Sequence, residues 1–268
     1  MDMREARAMV KALRSTEGTA PEGLAEDVLA GIGLVDSWTE IDGPIGPLSV
    51  AWSETTGITA AERSGDPDGF ETEYELRHGR PVRRVPEMPE ELLAQIRKRF
   101  EGERTTGPRV DLDTLTEFEK AVLLKTMEIP YGEVRPYSWV AREIGRPRAV
   151  RAVGSALAGN PITFVIPCHR VVRADGHIGN YGAGGPEAKR EVLELEGIDV
   201  GELERTAGAG VRYTGSDSTS IYCYPSCRHA RRTTAAHEVR FHSAQEARDA
   251  GYRPCKVCKP LEGTPFAA

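Results

Sequence analysis

Two pairs of cysteines in the C-terminal part of the sequence restrict how that part can fold. Cys223 and Cys227 are spaced as C-x3-C, and Cys255 and Cys258 are spaced as C-x2-C, with 27 residues between the two pairs. In a reducing compartment such pairs are typical metal ligands, because four thiolates can surround one ion. We therefore predict that the segment around these cysteines folds about a bound metal ion.

The composition indicates a globular chain with more than one core. Its 268 residues are 39% hydrophobic, and a chain of this length is expected to form about two domains of roughly 150 residues each. No apolar run is long enough to span a membrane, and no signal peptide is recognisable. We therefore predict a cytoplasmic protein, without a membrane partner, whose thiols stay reduced.

Positive charge is concentrated in two stretches of an acidic chain. The formal net charge is −6, which argues weakly against a nucleic-acid partner. However, residues 135–173 contain seven arginines and one acidic residue, Glu143, and residues 211–268 contain nine Lys and Arg against five Asp and Glu. Basic patches on an acidic body are typical of a surface that binds the DNA backbone.

The fifth cysteine, Cys168, lies outside the two pairs, in the apolar stretch VIPCHRVV of residues 165–172. Two interpretations fit an adjacent Cys-His pair. Cys168 and His169 can be a small core residue and a turn residue, or a nucleophile and its base. A free thiol with a pKa of about 8.5 is only ~3% thiolate at pH 7, so a nucleophilic cysteine needs a base, and the base needs a group that orients it.

Helical spacing and turn signals divide the rest of the chain into elements. Helices are predicted over residues 3–14, 24–34, 89–100, 116–129 (capped by Thr114 or Thr116) and 186–197. Strands of an antiparallel sheet are predicted over TEID, GPLSVAWSE and GITAAERS. Two helices joined by a Gly-containing turn over 137–161 suggest a helix-turn-helix. A buried strand, ITFVIP, follows it, and the Gly-rich loop GNYGAGG spans 179–185.

The sequence from about Thr116 to Gly197 resembles the O6-alkylguanine-DNA alkyltransferase family. The resemblance rests on IPCHRVV, on GNP with its Asn160 eight residues before the cysteine, and on GNY eleven residues after it. It implies that Cys168 accepts the alkyl group and is consumed. It also implies that His169 is the base, acting through a water and held by Glu196, and that Asn160 braces the loop that carries the cysteine.

The same resemblance implies a DNA-binding surface. Tyr137 stands at the Tyr of the family's helix-turn-helix, and Arg151 at the arginine that fills the gap left by a flipped base. The alternatives are a half-buried aromatic at a helix start for Tyr137 and a solvated helix face for Arg151. The other residues expected to contact DNA or the flipped base are Arg148, Arg170, Tyr181 and Gly182. Many family members have a hydroxyl-bearing or large residue where this chain has Gly182, so a side-chain hydrogen bond to the guanine O6 is absent here.

The segment SIYCYPSCRHARRTTAAHEVRFHSAQEARDAGYRPCKVCKP resembles the zinc module of the bacterial adaptive-response protein Ada. A module this small needs the metal to fold, and we expect no organic cofactor. The implied ligands of one Zn²⁺ are Cys223, Cys227, Cys255 and Cys258. It also implies that Cys223 accepts a methyl group from a DNA phosphotriester; the alternative is a purely structural zinc site. Ada commonly has basic residues where this chain has Tyr224 and Val257. The histidines expected at the surface are His229, His237 and His242.

These observations predict a fold of the α/β plus α class. The expected divisions are a helical extension over 1–37, an RNase-H-like α/β domain over 38–110, a helical catalytic domain with the helix-turn-helix over 111–200, a linker over 201–216 and the zinc module over 217–262.

The expected function is DNA repair. A monomer, cytoplasmic and associated with the nucleoid, would transfer the alkyl group of O6-alkylguanine in double-stranded DNA to Cys168 in a single turnover. Two alternatives come from other classes. A lesion sensor that only binds DNA would lack the acceptor cysteine, which is present. A transcription regulator triggered by methylation would need a further sequence-reading domain, which we do not find.

Overall fold

The computed structural model describes residues 24–103 and 107–261. The helix predicted over residues 3–14 lies outside these ranges. The described α-helices are α1 (Leu24–Gly31), α2 (Pro67–His78), α3 (Glu90–Phe100), α4 (Glu117–Met127), α5 (Tyr137–Glu143), α6 (Val150–Ala158), α7 (Gly185–Leu195), α8 (Val200–Gly208) and α9 (Ala244–Asp249). The strands are β1 (Asp36–Gly43), β2 (Gly46–Ser53), β3 (Gly57–Arg63), β4 (Val82–Arg84), β5 (Arg135–Pro136), β6 (Val171–Val172), β7 (Tyr213–Ser216), β8 (Ile221–Cys223), β9 (Glu238–Phe241) and β10 (Arg253–Pro254). Within these ranges, every helix falls short of the length and apolar character that crossing a membrane requires.

An N-terminal sheet carries its strands in the order β3-β2-β1-β4. Strand β2 pairs antiparallel with both β1 and β3, as the sequence predicts. Strand β4 pairs parallel with β1 after the crossing helix α2, and neither of these two elements was predicted. Helix α2 contributes only Phe70 and Tyr74 to a core cluster around Trp38, and two apolar positions are too few to give a clear helical pattern.

Helix α4 begins at the residue that the sequence offers as a cap. The Thr116 hydroxyl accepts a hydrogen bond from the Glu119 backbone N–H, and the Glu119 carboxylate accepts one from the Thr116 N–H. This reciprocal capping box selects Thr116 over Thr114. Helices α5 and α6 pack on α4 and on each other. The turn between them contains Gly145 with a φ of 72°, a left-handed conformation that glycine adopts without strain.

Residues 162–167, ITFVIP, are buried but do not form the predicted strand. Thr163 N donates to Ala61 O at 2.7 Å, and Ala61 N donates to Pro161 O at 2.9 Å, so the segment makes only a bridge to β3. Beyond this bridge the chain turns, with Phe164 at a φ of 66°. Prolines at both ends lack the N–H that a longer ladder would need. The segment is therefore a tight buried turn that leads directly to Cys168.

The segment 201–216, predicted as a linker, contains regular secondary structure. Helix α8 occupies its first half and is capped by Asp199, which accepts from Glu202 N at 2.7 Å. Strand β7 occupies its end, in a sheet ordered β10-β8-β7-β9. The small residues that suggested a loop are needed for packing: a Cβ at Gly215 would lie 2.8 Å from the rings of Phe241 and Tyr252.

One core cluster extends through the N-terminal sheet, the helical part and the C-terminal sheet. A single cluster of buried hydrophobic residues includes Leu48 of the N-terminal sheet, Val140 of α5 and Tyr222 of the C-terminal sheet. The C-terminal sheet is therefore packed onto the helical part and not suspended from it.

Candidate functional site

Cys168 begins a single turn of 3₁₀ helix, Cys168–Arg170, and its side chain is buried. Asn160, which follows α6, fixes the turn from the other side. Its Nδ2 donates to Ile166 O at 3.0 Å and to Cys168 Sγ at 3.2 Å, while its Oδ1 accepts from Ile162 N at 3.1 Å. The amide thus holds the buried turn and gives the sulfur a hydrogen-bond donor, which favours the thiolate.

Glu196, at the end of α7, joins His169 and Arg170. His169 Nε2 lies 2.8 Å from Glu196 Oε1, and Arg170 makes a bidentate pair with the same carboxylate at 2.8 to 3.0 Å. Burial raises the pKa of Glu196, but the hydrogen bonds and charges of His169 and Arg170 outweigh it and lower the pKa to about 2. Glu196 is therefore ionised at neutral pH.

His169 is held in its neutral form. Burial lowers its pKa more than the neighbouring Glu196 raises it. An ionised carboxylate can only accept, so the hydrogen must be on Nε2 and the lone pair on Nδ1. Nδ1 has no hydrogen-bond partner within the described part of the chain. The imidazole can therefore take up a proton at Nδ1 while Glu196 stabilises the charge.

The Cys168 thiol needs such a base. Burial raises its pKa, and the Asn160 hydrogen bond and the charge of Lys189 oppose this only in part. Lys189 is itself buried, and its Nζ donates to Val171 O at 2.6 Å and to Asn180 O at 3.3 Å. Burial lowers the pKa of Lys189 to about 8. We did not predict Lys189 as a site residue, because a Lys in an amphipathic helix is normally exposed.

Two tyrosines and a glycine surround this centre. Tyr181 is buried and meets the His169 ring edge-on, with centroids 6.1 Å apart. Tyr137 is half-buried, and Lys189 Nζ lies 6.0 Å from its ring centroid. A Cβ at Gly182 would lie 3.1 Å from Ala158 O, so the loop approaches the end of α6 too closely for a side chain there without a shift.

The arginines predicted to face DNA divide into two groups. Arg148 precedes α6 and Arg151 lies in its first turn, and both are exposed. Neither makes an ion pair with any described carboxylate. The prediction for Arg170 is corrected: its side chain is 4% exposed and is paired with Glu196, with Nη1 bonded to Ile129 O at 2.8 Å. Its guanidinium is therefore part of the buried site.

The four paired cysteines converge in the C-terminal sheet. Strands β8 and β10 pair in parallel, which brings the two cysteine pairs together. Their four Sγ atoms all lie within 4.8 Å of one another. A tetrahedral zinc site with Zn–S bonds of about 2.3 Å requires sulfurs about 3.8 Å apart, so the cluster fits Zn²⁺. His229, His237 and His242 are exposed and outside the cluster.

Two of the four cysteines line an open cavity. It has a volume of about 460 Å³, and Cys223 and Cys255 are in its wall. The wall also contains the basic residues Arg232, Arg253 and Lys256. Cys227 and Cys258 are fully buried and do not line this cavity.

Tyr224, the residue after Cys223, is buried and not at a surface that could contact DNA. Tyr224 is buried against Tyr213, with ring centroids 5.6 Å apart, and lies under the guanidinium of Arg135 at 5.6 Å. It faces the helical part of the molecule, where a basic residue would be buried next to another cation. Val257, the other departure, is 44% exposed.

Two parts of the chain, one with Cys168 and one with the four clustered cysteines, match two different families. Residues 117–198 match the family described as 6-O-methylguanine DNA methyltransferase, DNA binding domain, and residues 204–261 match the metal binding domain of Ada. A crystal structure of Mycobacterium tuberculosis OGT in complex with DNA is 34% identical in sequence, with a TM-score of 0.49, and the match covers 60% of this chain and 93% of that chain.

Two relatives that match this chain over most of their length have the same name. The methylated-DNA–protein-cysteine methyltransferase of Methanosarcina acetivorans is 36% identical over 163 residues, covering 58% of this chain and 95% of the relative. That of Mycobacterium bovis is 40% identical over 159 residues, covering 58% of this chain and 89% of the relative. With this identity over most of the relatives' length, the chain belongs to the methylated-DNA–protein-cysteine methyltransferase family.

Proposed function

We propose that this chain repairs double-stranded DNA by moving the alkyl group of an O6-alkylguanine onto Cys168, once per molecule. The observation that carries the proposal is the buried arrangement of Cys168, Asn160, His169 and Glu196, in which the sulfur has a donor and the adjacent base is held by an ionised carboxylate. The names of the relatives describe this reaction, and Cys168 is the residue that a binding-only sensor would lack.

The proton balance follows from the state of each group. Burial keeps Cys168 a thiol, so its proton must leave as the sulfur attacks the alkyl carbon. We assign His169 Nδ1 as the acceptor, through a water, with Glu196 stabilising the imidazolium. The bond between the carbon and O6 breaks as the carbon–sulfur bond forms, and the guanine takes up the proton. The thioether has no leaving group that would restore the thiol, so each molecule reacts once.

We assign the DNA contact to a helix-turn-helix formed by α5 and α6. Exposed Arg148 and Arg151 then meet the duplex, Arg151 fills the space of the flipped base, and Tyr137 lies between this surface and Cys168. Flipping a base costs a few kcal/mol, which a stacked arginine offsets. Tyr181 and Gly182 form the wall that receives the base. We further propose that the protein is a monomer, located in the cytoplasm and associated with the nucleoid.

We divide the chain into an RNase-H-like domain over 38–110, supported by the strand order of its sheet, a catalytic domain over 111–200 and a zinc module. Because β7 belongs to the sheet of the module, we place its start before Tyr213. We propose one Zn²⁺ on Cys223, Cys227, Cys255 and Cys258, which keeps the four sulfurs as thiolates at neutral pH.

The test of alkyl transfer uses the full chain and DNA with one O6-methylguanine. The expected result is a gain of one methyl group per molecule, mapped to the Cys168 peptide, and no gain from that lesion in Cys168→Ser. Duplex affinity is expected to be unchanged in the variant. A serine variant that still takes up one methyl per molecule contradicts the assignment of Cys168.

A second activity is supported by the cavity at the cysteine cluster. Cys223 lines it together with three cations, and a phosphotriester is flanked in DNA by anionic phosphates that such cations attract. We propose that Cys223 accepts a methyl group from a DNA methyl phosphotriester. The carbon–oxygen bond breaks, a phosphodiester anion leaves, and the sulfur becomes a thioether ligand.

This second activity is tested in full-length, zinc-loaded Cys168→Ser, so that the first acceptor is absent. The DNA carries a methyl phosphotriester, as separate diastereomers, and no O6-methylguanine. A methyl group mapped to Cys223 supports the proposal. A methyl group on Cys255, which lines the same cavity, would reassign the acceptor, and unmodified protein with both diastereomers would leave the cluster a structural role.

A further inference from the structure

The turn of residues 129–134, between α4 and β5, contacts Glu196 and Arg170 of the proposed transfer site. Its Gly132 N donates to Glu196 Oε2 at 3.0 Å, and its Ile129 O accepts from Arg170 Nη1 at 2.8 Å. Gly132 has a φ of 69°, and a Cβ there would lie 2.8 Å from Glu196 O. The turn and the end of α7 are therefore in direct contact, and the position of Glu196 depends on the position of the turn.

The zinc module is hydrogen-bonded to the same turn through Ser226 and Arg228. Ser226 is buried, and its Oγ accepts from Val134 N at 2.9 Å and donates to Val134 O at 3.2 Å. Arg228 N donates to the buried carboxylate of Glu133 at 3.2 Å. Ser226 and Arg228 are the residues on either side of Cys227, one of the four clustered cysteines. Both anchors are therefore directly adjacent in the chain to a cysteine of the cluster.

Further contacts join the zinc module to the helical part of the molecule. Glu133 also pairs with buried Arg135, whose guanidinium lies over Tyr224. At the other edge, Arg142 of α5 donates to Lys259 O at 2.6 Å and to Pro260 O at 3.1 Å, directly after Cys258. The chain on either side of the cluster thus contacts the helical part of the molecule.

We infer that Ser226 is a positioning residue for alkyl transfer: it holds the 129–134 turn, and through it Glu196 and His169, in a geometry that depends on the metal-loaded state of the zinc module. The inference rests on the proposed function at Cys168. It gives the C-terminal module a role in the first reaction, independent of any methyl acceptance at Cys223. Release of the metal, or loss of the Ser226 hydroxyl, frees the turn and weakens the support of the base.

The first test compares Ser226→Ala with Ser53→Ala in the full, zinc-loaded chain. Ser53 is a matched control in the N-terminal sheet, because it is also buried and its Oγ accepts a backbone N–H, from Thr55 at 3.3 Å. At saturating lesion-containing DNA, we expect Ser226→Ala to slow transfer to Cys168 by roughly twofold to tenfold, the range that one or two lost hydrogen bonds support. The Kd for the same DNA is expected to stay unchanged. Equal rates in both variants, or a changed Kd with an unchanged rate, would overturn the inference.

The second test needs no substitution and no DNA. Hydrogen–deuterium exchange of the 129–134 amides is measured in the wild-type chain before and after removal of the metal by a chelator. We expect the Gly132 and Val134 amides to exchange at least about tenfold faster without metal, while amides of β2 keep their protection. Unchanged protection at Gly132 would overturn the inference, even if Ser226→Ala fails to fold. Failure of the proposed function is separate: it appears as absent transfer to Cys168 in the loaded wild-type chain.

Discussion

Glu196 accepts hydrogen bonds from three directions, since His169, Arg170 and Gly132 N all reach its two oxygens. Each of these donors has a different role. His169 is the proposed base, Arg170 supplies the compensating charge in a buried place, and Gly132 belongs to the turn that the zinc module holds. Substitution of this one carboxylate therefore tests both the chemistry and the stability of the site.

Glu196→Gln is expected to slow transfer to Cys168 by roughly tenfold to a hundredfold. The amide keeps the size of the side chain but removes the charge that stabilises the protonated His169. The measurement is the single-turnover rate with the free base O6-benzylguanine, which avoids any effect on DNA binding. Glu194→Gln is the matched control, because Glu194 lies on the same helix with its side chain 52% exposed, and its rate should equal that of the wild type.

The stability of the wild-type chain should contain an acid-sensitive contribution from Glu196. Its pKa falls from an ordinary value of 4.5 to about 2 in the fold. A carboxyl with a depressed pKa stabilises the fold fully above about pH 4.5 and loses this contribution as the pH falls toward 2, on the order of 3 kcal/mol in total. Urea unfolding of wild type and Glu196→Gln should therefore differ most at pH 7, and the difference should shrink at pH 3. A difference that is constant with pH would contradict the assignment of this charge.

Helix α6 presents an exposed arginine to solvent while its opposite face lies in the core, through Val153, Ala156 and Leu157. This division is consistent with the proposed DNA-binding role of α6, since the buried face fixes the orientation of the helix. Arg151→Ala is expected to slow transfer from a lesion in duplex DNA by roughly tenfold, because the flipped base then leaves an unfilled gap. Transfer from free O6-benzylguanine should be unaffected.

The control for Arg151 is Arg205→Ala on α8, where an exposed arginine pairs with Glu202 at 2.6 Å. Binding of the wild type to duplex DNA should weaken steeply with salt, because phosphate contacts release counterions. Equal slowing of Arg151→Ala on both substrates would mean that this arginine shapes the pocket and does not support the duplex.

For the whole molecule, the interface between the zinc module and the helical part should determine whether the chain unfolds as one unit. Tyr224→Arg introduces a basic residue, as in Ada, but places it against buried Arg135. We expect the free energy of unfolding to fall by about 3 kcal/mol. For a chain of this size the Tm should fall by about 6–12 °C, and calorimetry should separate two transitions. Val257→Arg, the same change at an exposed position, should leave the Tm unchanged. A single unshifted transition in Tyr224→Arg would show that the interface does not couple the parts.

The sequence by itself determined the features whose information is local. The capping box at Thr116, the spacing of the four cysteines and the stretch IPCHRVV each lie within a few residues or require a fixed ligand chemistry. They predicted helix α4 and the convergence of the four cysteines. Strands β1 to β3 were also predicted, because alternating patterns and turn residues are local as well.

Only the tertiary structure decided what depends on distant partners. Arg170 looks like a free cation in the sequence, but Glu196, 26 residues away, makes it a buried partner. The small residues of 201–216 look like a linker, but Phe241 and Tyr252 pack where a side chain at Gly215 would be. Tyr224 looks like the loss of a DNA contact, but it faces Arg135 across the interface. Burial and charge compensation depend on which elements pack together, and no local pattern in a single sequence encodes that.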